Sequence, residues 1–88
     1  MSGTTAREVT YTKAAVKALA RMPANNARLI RDKIDLFARD PASLANNVAA
    51  LKGSDLARLR VSDWRVIIDA DRLTVLVVAI GARGGIYA

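Results

Sequence analysis

The chain of 88 residues contains no cysteine and no histidine, and its 14 basic and 8 acidic residues give it a net charge of +6. Disulfides, thiolate chemistry and imidazole-based zinc or triad chemistry are therefore excluded. The length fits one domain and the hydrophobic fraction of 52% is enough for a folded core, while the charge favours either a polyanionic partner or simply a basic, soluble protein.

The sequence shows no feature of a secreted or membrane protein. Its first residues lack the basic start and apolar core of a signal peptide. The longest apolar run, residues 73–80, is about eight residues long, far short of the ~20 that span a bilayer. We therefore expect a cytoplasmic protein with no membrane partner, which agrees with the absence of cysteine.

The first part of the chain predicts a strand and a helix. Apolar and polar residues alternate over residues 7–11, which indicates a short strand. Thr12 is a potential N-cap for a helix that ends before Pro23. The apolar stripe of this helix, which we expect to face the core, comprises Ala15, Val16, Leu19 and Met22.

A second helix is predicted over residues 24–39, ending before Pro41. With the first helix it would form an αα-hairpin. Residues 41–57 show no clear periodicity, and we interpret them as a long irregular loop. The apolar residues that the second helix is expected to bury are Leu29, Ile30, Ile34 and Phe37.

The remaining sequence is typical of strands, over residues 58–61, 64–69 and 73–80. The predicted architecture is α+β: a short N-terminal strand, an αα-hairpin and then an antiparallel β-meander with the helices packed on one face of the sheet. Residues 1–88 would form a single domain.

The predicted hairpin at residues 58–68 carries an unusual number of arginines. If Ser62 and Asp63 form a two-residue turn, the strand register is fixed and alternation defines two faces. One face, which we expect in the core, comprises Leu59, Val61, Trp64, Val66 and Ile68. The opposite face comprises Arg58, Arg60 and Arg65, with Arg60 directly opposite Arg65.

Like charges directly opposite one another on a sheet cost roughly 0.2–1 kcal/mol. Phosphate binding to this face would offset that cost, because the guanidinium group is a rigid fork of donors that matches phosphoryl oxygens. The alternative is that the three arginines are solvated residues of an edge strand, or that they pair with Asp69 and Asp71. The residues alone leave both interpretations open.

Several stretches, taken in order, resemble the RelE/ParE superfamily of toxins from bacterial type II toxin–antitoxin systems. They are LKG at 51–53, RLRVSDWRVII at 58–68 and GARGGIY at 81–87, preceded by the predicted strand and αα-hairpin. The resemblance covers nearly the whole chain and implies a RelE-like fold. For RelE-type members it also implies an endoribonuclease that cuts mRNA in the ribosomal A site and thereby inhibits growth.

The resemblance also implies site residues, by position. The catalytic or phosphate-binding set would be Arg58, Arg60, Arg65, Arg83 and Tyr87. The implied reaction is attack of the RNA's own 2′-hydroxyl on the adjacent phosphate, which needs neither a metal ion nor another cofactor. RNA binding would fall to Lys52 together with Arg58 and Arg60.

Ala82 departs from the family pattern. Many relatives have His or Lys at this position, where it can assist proton transfer, and an arginine, which stays protonated, is a poor substitute. The role would then fall to Tyr87, to a carboxylate, or to an arginine that acts only electrostatically. Phosphate binding is expected to be retained, whereas nuclease competence is left open.

The partners that the resemblance implies are a cognate antitoxin, the ribosome with its mRNA, and promoter DNA bound through the toxin–antitoxin complex. Two alternatives to the endoribonuclease remain. One is a ParE-type toxin that inhibits DNA gyrase and needs no RNA-cleaving site. The other is a catalytically weakened member that acts only by binding its antitoxin and, in that complex, DNA.

Overall fold

The computed structural model describes residues 7–82. Two helices precede most of a five-stranded sheet. The elements in chain order are β1 (Glu8–Tyr11), α1 (Lys13–Arg21), α2 (Ala24–Arg39), a 3-10 helix (Pro41–Asn47), β2 (Val48–Ala50), β3 (Ala57–Val61), β4 (Trp64–Ala70) and β5 (Thr74–Ala82). Within the described part of the chain, no helix is long and apolar enough to cross a membrane.

The sheet has the strand order β1-β5-β4-β3-β2. The strands from β2 to β5 pair antiparallel, as the predicted meander requires. β1 lies at the other edge of the sheet, where it pairs in parallel with β5. The sheet is therefore mixed. The α+β prediction is confirmed, and the added detail is that the first strand borders the last.

Thr12 joins α1 to the sheet and confirms the predicted cap. Its Oγ1 accepts a hydrogen bond from the backbone N–H of Ala15 at 3.2 Å, which satisfies one of the free donors of the first helical turn. The same hydroxyl donates to the carbonyl oxygen of Val78 in β5 at 2.6 Å. One side chain therefore fixes both where the helix begins and where it lies against the sheet.

The core lies between the helices and one face of the sheet. The expected positions of the hairpin are confirmed there: Leu59 and Val66 are fully buried, and Trp64 packs against the core. Two predictions for the helices are wrong, because Val16 and Leu29 are 49% and 38% exposed. The sheet covers only a narrow stripe of each helix, and a residue next to that stripe is rotated about 100° away toward solvent.

Residues 41–57 are not the irregular loop that the sequence predicts. A 3-10 helix begins at Pro41, and the short strand β2 follows it and pairs with β3. The sheet edge on this side is therefore β2, and Arg58 lies opposite Ala49 within the ladder. The edge-strand interpretation is therefore wrong for Arg58, and also for Arg65, which lies in β4 between β3 and β5. Arg60 belongs to β3 as well but lies beyond the residues that pair with β2.

The β3–β4 hairpin has the predicted two-residue turn and register. Val61 lies opposite Trp64, and Arg60 lies opposite Arg65. Ser62 adopts a φ of 53°, the only positive φ of a non-glycine residue in residues 7–82. Tight hairpin turns need this conformation because it matches the twist of the strands, and glycine adopts it without steric cost.

We expect Ser62→Gly to raise the free energy of unfolding by roughly 0.5 kcal/mol. Relief of the left-handed conformation is worth about 1–2 kcal/mol and is partly offset by the entropy of an unfolded glycine. A urea unfolding curve measures the change. Asp63→Gly is the matched control, since φ at Asp63 is not positive and the same substitution should destabilise there. A Ser62→Gly protein no more stable than Asp63→Gly would contradict the proposed strain.

Candidate functional site

The sheet face opposite the helices carries a small cavity beside the β3–β4 turn. Alternation along β3 and β4 brings three guanidinium groups to it, while the end of the 3-10 helix and the start of β2 form its wall. We call it the arginine cavity. It encloses about 130 Å³ and is lined by Asn46, Asn47, Val48, Ala49, Arg58, Arg60 and Arg65.

The size of the arginine cavity limits what it can bind. Sites for drug-sized molecules usually enclose about 300–1,000 Å³, well above the 130 Å³ of this cavity. Its volume corresponds to about four water molecules at roughly 30 Å³ each, which fits a single phosphate group. The cavity is therefore suited to one anionic group of a larger ligand that lies across this sheet face.

The cavity is strongly cationic. Arg60 and Arg65 are directly opposite each other, and the described residues that line the cavity include no acidic side chain. Asp71, which the sequence offered as a possible partner, belongs to the β4–β5 turn instead. Its Oδ1 accepts from the backbone N–H groups of Leu73 and Thr74, each at 2.8 Å, and these bonds lower the pKa of the Asp71 carboxyl.

Arg65 is held in place by the turn that precedes it. Its Nη1 donates to the carbonyl oxygens of Ser62 at 3.3 Å and Trp64 at 3.0 Å. Within residues 7–82 its Nε and Nη2 make no hydrogen bond. An arginine has five N–H donors, so Arg65 is oriented by two of them and can present the others to an anion.

Two asparagines in the cavity wall were missed by sequence reasoning. The Asn47 Nδ2 donates to the carbonyl oxygen of Arg60 at 3.4 Å, which links the end of the 3-10 helix to β3. Asn46 is exposed beside it, and its side-chain amide has no hydrogen bond within the described residues. Because residues 41–57 were interpreted as an irregular loop, the sequence does not predict that these two asparagines lie beside the arginines.

The other predicted site residues lie away from the arginine cavity or outside residues 7–82. Lys52 is exposed in the connection between β2 and β3 and does not line the arginine cavity. Arg83 and Tyr87 lie outside residues 7–82. Ala82 lies opposite Trp64, whereas Gly81 lies opposite Arg65. A side chain at position 82 therefore shares the face of Trp64, not the face of the arginines.

No group suited to proton transfer lines the cavity within the described part of the chain. Tyr11 is the described tyrosine, and it packs against the core. Burial raises the pKa of Tyr11 and the Asp35 carboxylate raises it further. The Arg31 guanidinium, 5.5 Å from the ring centroid, acts in the opposite direction. The described lining of the arginine cavity thus supplies cations but no acid or base.

Comparison with known proteins gives matches among solved structures only. No model of a protein family and no curated protein matches the chain. A chain of the archaeal RelE–RelB complex from Pyrococcus horikoshii OT3 is 26% identical, with a TM-score of 0.77 over 92% of this chain and 99% of that one. A chain of the RelBE2 toxin–antitoxin complex from Mycobacterium tuberculosis is 17% identical, with a TM-score of 0.76 over 90% and 100%. The isolated E. coli RelE toxin is 16% identical, with a TM-score of 0.69 over 89% and 85%.

Proposed function

We infer that this chain, a RelE-superfamily toxin by its fold, is the toxin of a type II toxin–antitoxin pair and a ribosome-dependent mRNA endoribonuclease. The observation that carries the nuclease proposal is the arginine cavity, in which Arg60 and Arg65 face each other and the described lining residues include no acidic side chain. Such a pair weakens the sheet and is useful when a phosphate lies between the two guanidinium groups.

The arginines would act by electrostatic stabilisation. In the proposed reaction the 2′-oxygen of one nucleotide attacks the adjacent phosphorus, and the bond from phosphorus to the 5′-oxygen of the next nucleotide breaks. The products are a 2′,3′-cyclic phosphate and a 5′-hydroxyl. Negative charge grows on the phosphoryl oxygens in the transition state, where a preorganised donor is typically worth about 10²–10³ in rate. Arg58 and Arg60 would hold the phosphate, and the oriented Arg65 would stabilise the developing charge.

We propose that proton transfer involves residues outside the described range. The 2′-hydroxyl loses a proton and the leaving 5′-oxygen gains one. We assign this role to Tyr87, with Arg83 adding positive charge, on the basis of the family pattern alone. The register of β5 makes Ala82 less important for the chemistry, because position 82 shares the face of Trp64.

The proposed partners follow from the neighbours and from charge. The RelBE2 neighbour is a toxin–antitoxin complex, and the archaeal neighbour is a RelE–RelB complex. We propose a cognate antitoxin for this chain whose acidic segment covers the arginine cavity. In the cytoplasm, ribosome-bound mRNA would be the substrate of the free toxin. Promoter DNA would be bound through the toxin–antitoxin complex.

The test is primer extension along an mRNA that is being translated in the presence of the purified protein. We expect cuts positioned by codon, reduced at least tenfold by Arg65→Ala because the oriented donors are lost. Arg72→Ala is the matched control, since Arg72 is exposed in the β4–β5 turn and outside the cavity lining. Intact mRNA with accumulating gyrase–DNA cleavage complexes would identify a ParE-type toxin instead. Intact mRNA without such complexes, but with tight antitoxin binding, would leave a binding-only member.

A further inference from the structure

The arginine cavity contains two kinds of polar group with different abilities. Guanidinium groups offer only donors, and contacts to phosphate position a nucleic acid without reading its sequence. The side-chain amides of Asn46 and Asn47 are the groups in the described lining that offer a donor and an acceptor together. A donor–acceptor pair is what recognition of a base edge requires.

The two asparagines differ in availability. The Asn47 Nδ2 donates to the carbonyl oxygen of Arg60 at 3.4 Å, so Asn47 holds the cavity wall against β3. The Asn46 side chain is exposed and makes no hydrogen bond within residues 7–82. Two positions earlier in the same 3-10 helix, Leu44 is buried in the core. The buried Leu44 therefore fixes the 3-10 helix that carries Asn46. The Asn46 side-chain amide lies beside the arginines of the cavity and has no hydrogen-bond partner within residues 7–82.

We propose that Asn46 determines base specificity by reading the nucleotide next to the phosphate in the arginine cavity, with a preference for adenine. The inference rests on the proposed function in that it takes the bound anion to be RNA. The Asn46 Oδ1 would accept from adenine N6–H and Nδ2 would donate to N7, a pairing typical of asparagine. Single-stranded RNA exposes this edge because its bases are unstacked.

The preference for adenine follows from the edges of the two purines. Guanine presents two acceptors, O6 and N7, on the corresponding edge, and these match a guanidinium fork better than an amide. The arginines of the cavity would then favour guanine if they read bases rather than phosphate. Adenine specificity through Asn46 and guanine specificity through Arg60 are therefore distinguishable outcomes of one measurement.

The experiment measures binding of short RNAs to the full chain by fluorescence anisotropy. The probes are 2′-O-methyl hexanucleotides of uridine with one central A, C, G or U, which the protein cannot cleave because the 2′-hydroxyl is blocked. We expect the adenine probe to bind about fivefold more tightly than the others, near the lower limit for one bidentate base contact. Asn46→Ala should equalise the four affinities. Asn25→Ala, an exposed asparagine at the start of α2, is the matched control and should keep the preference.

Three results would overturn the inference: equal affinities in the wild-type protein, an adenine preference that survives Asn46→Ala, or a guanine preference lost in Arg60→Thr. The blocked probes separate this inference from the proposed nuclease. A protein that prefers adenine but leaves mRNA intact on ribosomes contradicts only the nuclease. A protein that cuts mRNA but shows no base preference contradicts only the role of Asn46.

Discussion

Replacing Arg60 by threonine is expected to slow mRNA cleavage by about 10²–10³-fold and to make the fold more stable. Within residues 7–82 the Arg60 guanidinium has no hydrogen bond or ion pair, so all its donors are available to the substrate. The loss should therefore be larger than for Arg65, two of whose donors are held by the carbonyl oxygens of Ser62 and Trp64.

The gain in stability has a separate cause. Arg60 and Arg65 are directly opposite each other, and removing a like-charge pair of this kind recovers roughly 0.2–1 kcal/mol. Threonine also has a high preference for strands. A change that removes activity and stabilises the fold cannot be explained by misfolding, so the sign of the stability change is as informative as the loss of cleavage.

Cleavage is measured by primer extension on translating ribosomes, and stability by urea unfolding with and without sulfate. Sulfate should stabilise the wild-type protein, by about 1.4 kcal/mol when its concentration is ten times the dissociation constant, and should stabilise Arg60→Thr much less. Arg72→Thr makes the same chemical change at an exposed turn and should alter neither property. A destabilised Arg60→Thr, or one with equal sulfate stabilisation, would show that Arg60 is structural.

Leu59→Ala is expected to have the largest effect on folding, a loss of about 2–5 kcal/mol. Leu59 lies between Arg58 and Arg60 on β3, but it points to the core and is 0% exposed. Truncation removes apolar contacts and leaves a cavity among residues that cannot all move to fill it. Small domains have only about 5–15 kcal/mol of total stability, so this single change removes a large fraction of it.

Leu73→Ala is the matched control for this prediction. Leu73 is 75% exposed in the β4–β5 turn, where truncation should change the free energy of unfolding by less than about 0.5 kcal/mol. Both variants are compared with the wild type by urea unfolding. Equal losses for the two leucines would contradict the assignment of the helix-covered face of β3 to the core.

The hairpin was predictable because its signals are local. Alternation with period two assigns every side chain of β3 and β4 to a face, and a two-residue turn fixes the register. The burial of Leu59 and the pairing of Arg60 with Arg65 follow from those two facts. The arginine face of the candidate site was therefore available from nine consecutive residues, 58–66.

The other parts of the fold and site depend on contacts between distant residues. β2 is only three residues long, and its pairing with β3 decides that it is a strand. Asn46 and Asn47 become part of the cavity wall through that same pairing. The exposure of Val16 depends on how α1 is rotated against the sheet, which a hydrophobic stripe alone does not define.

The parallel pairing of β1 with β5 has a consequence for folding kinetics. Thr12 and Val78, whose hydrogen bond joins the two ends of the fold, are separated by 66 positions in the sequence. The entropy of closing such a long loop is lost before the contacts are gained, and folds rich in such pairings fold slowly. A nascent chain cannot complete this sheet until β5 has been synthesised. The native domain therefore forms only after nearly all of residues 7–82 have left the ribosome that makes them.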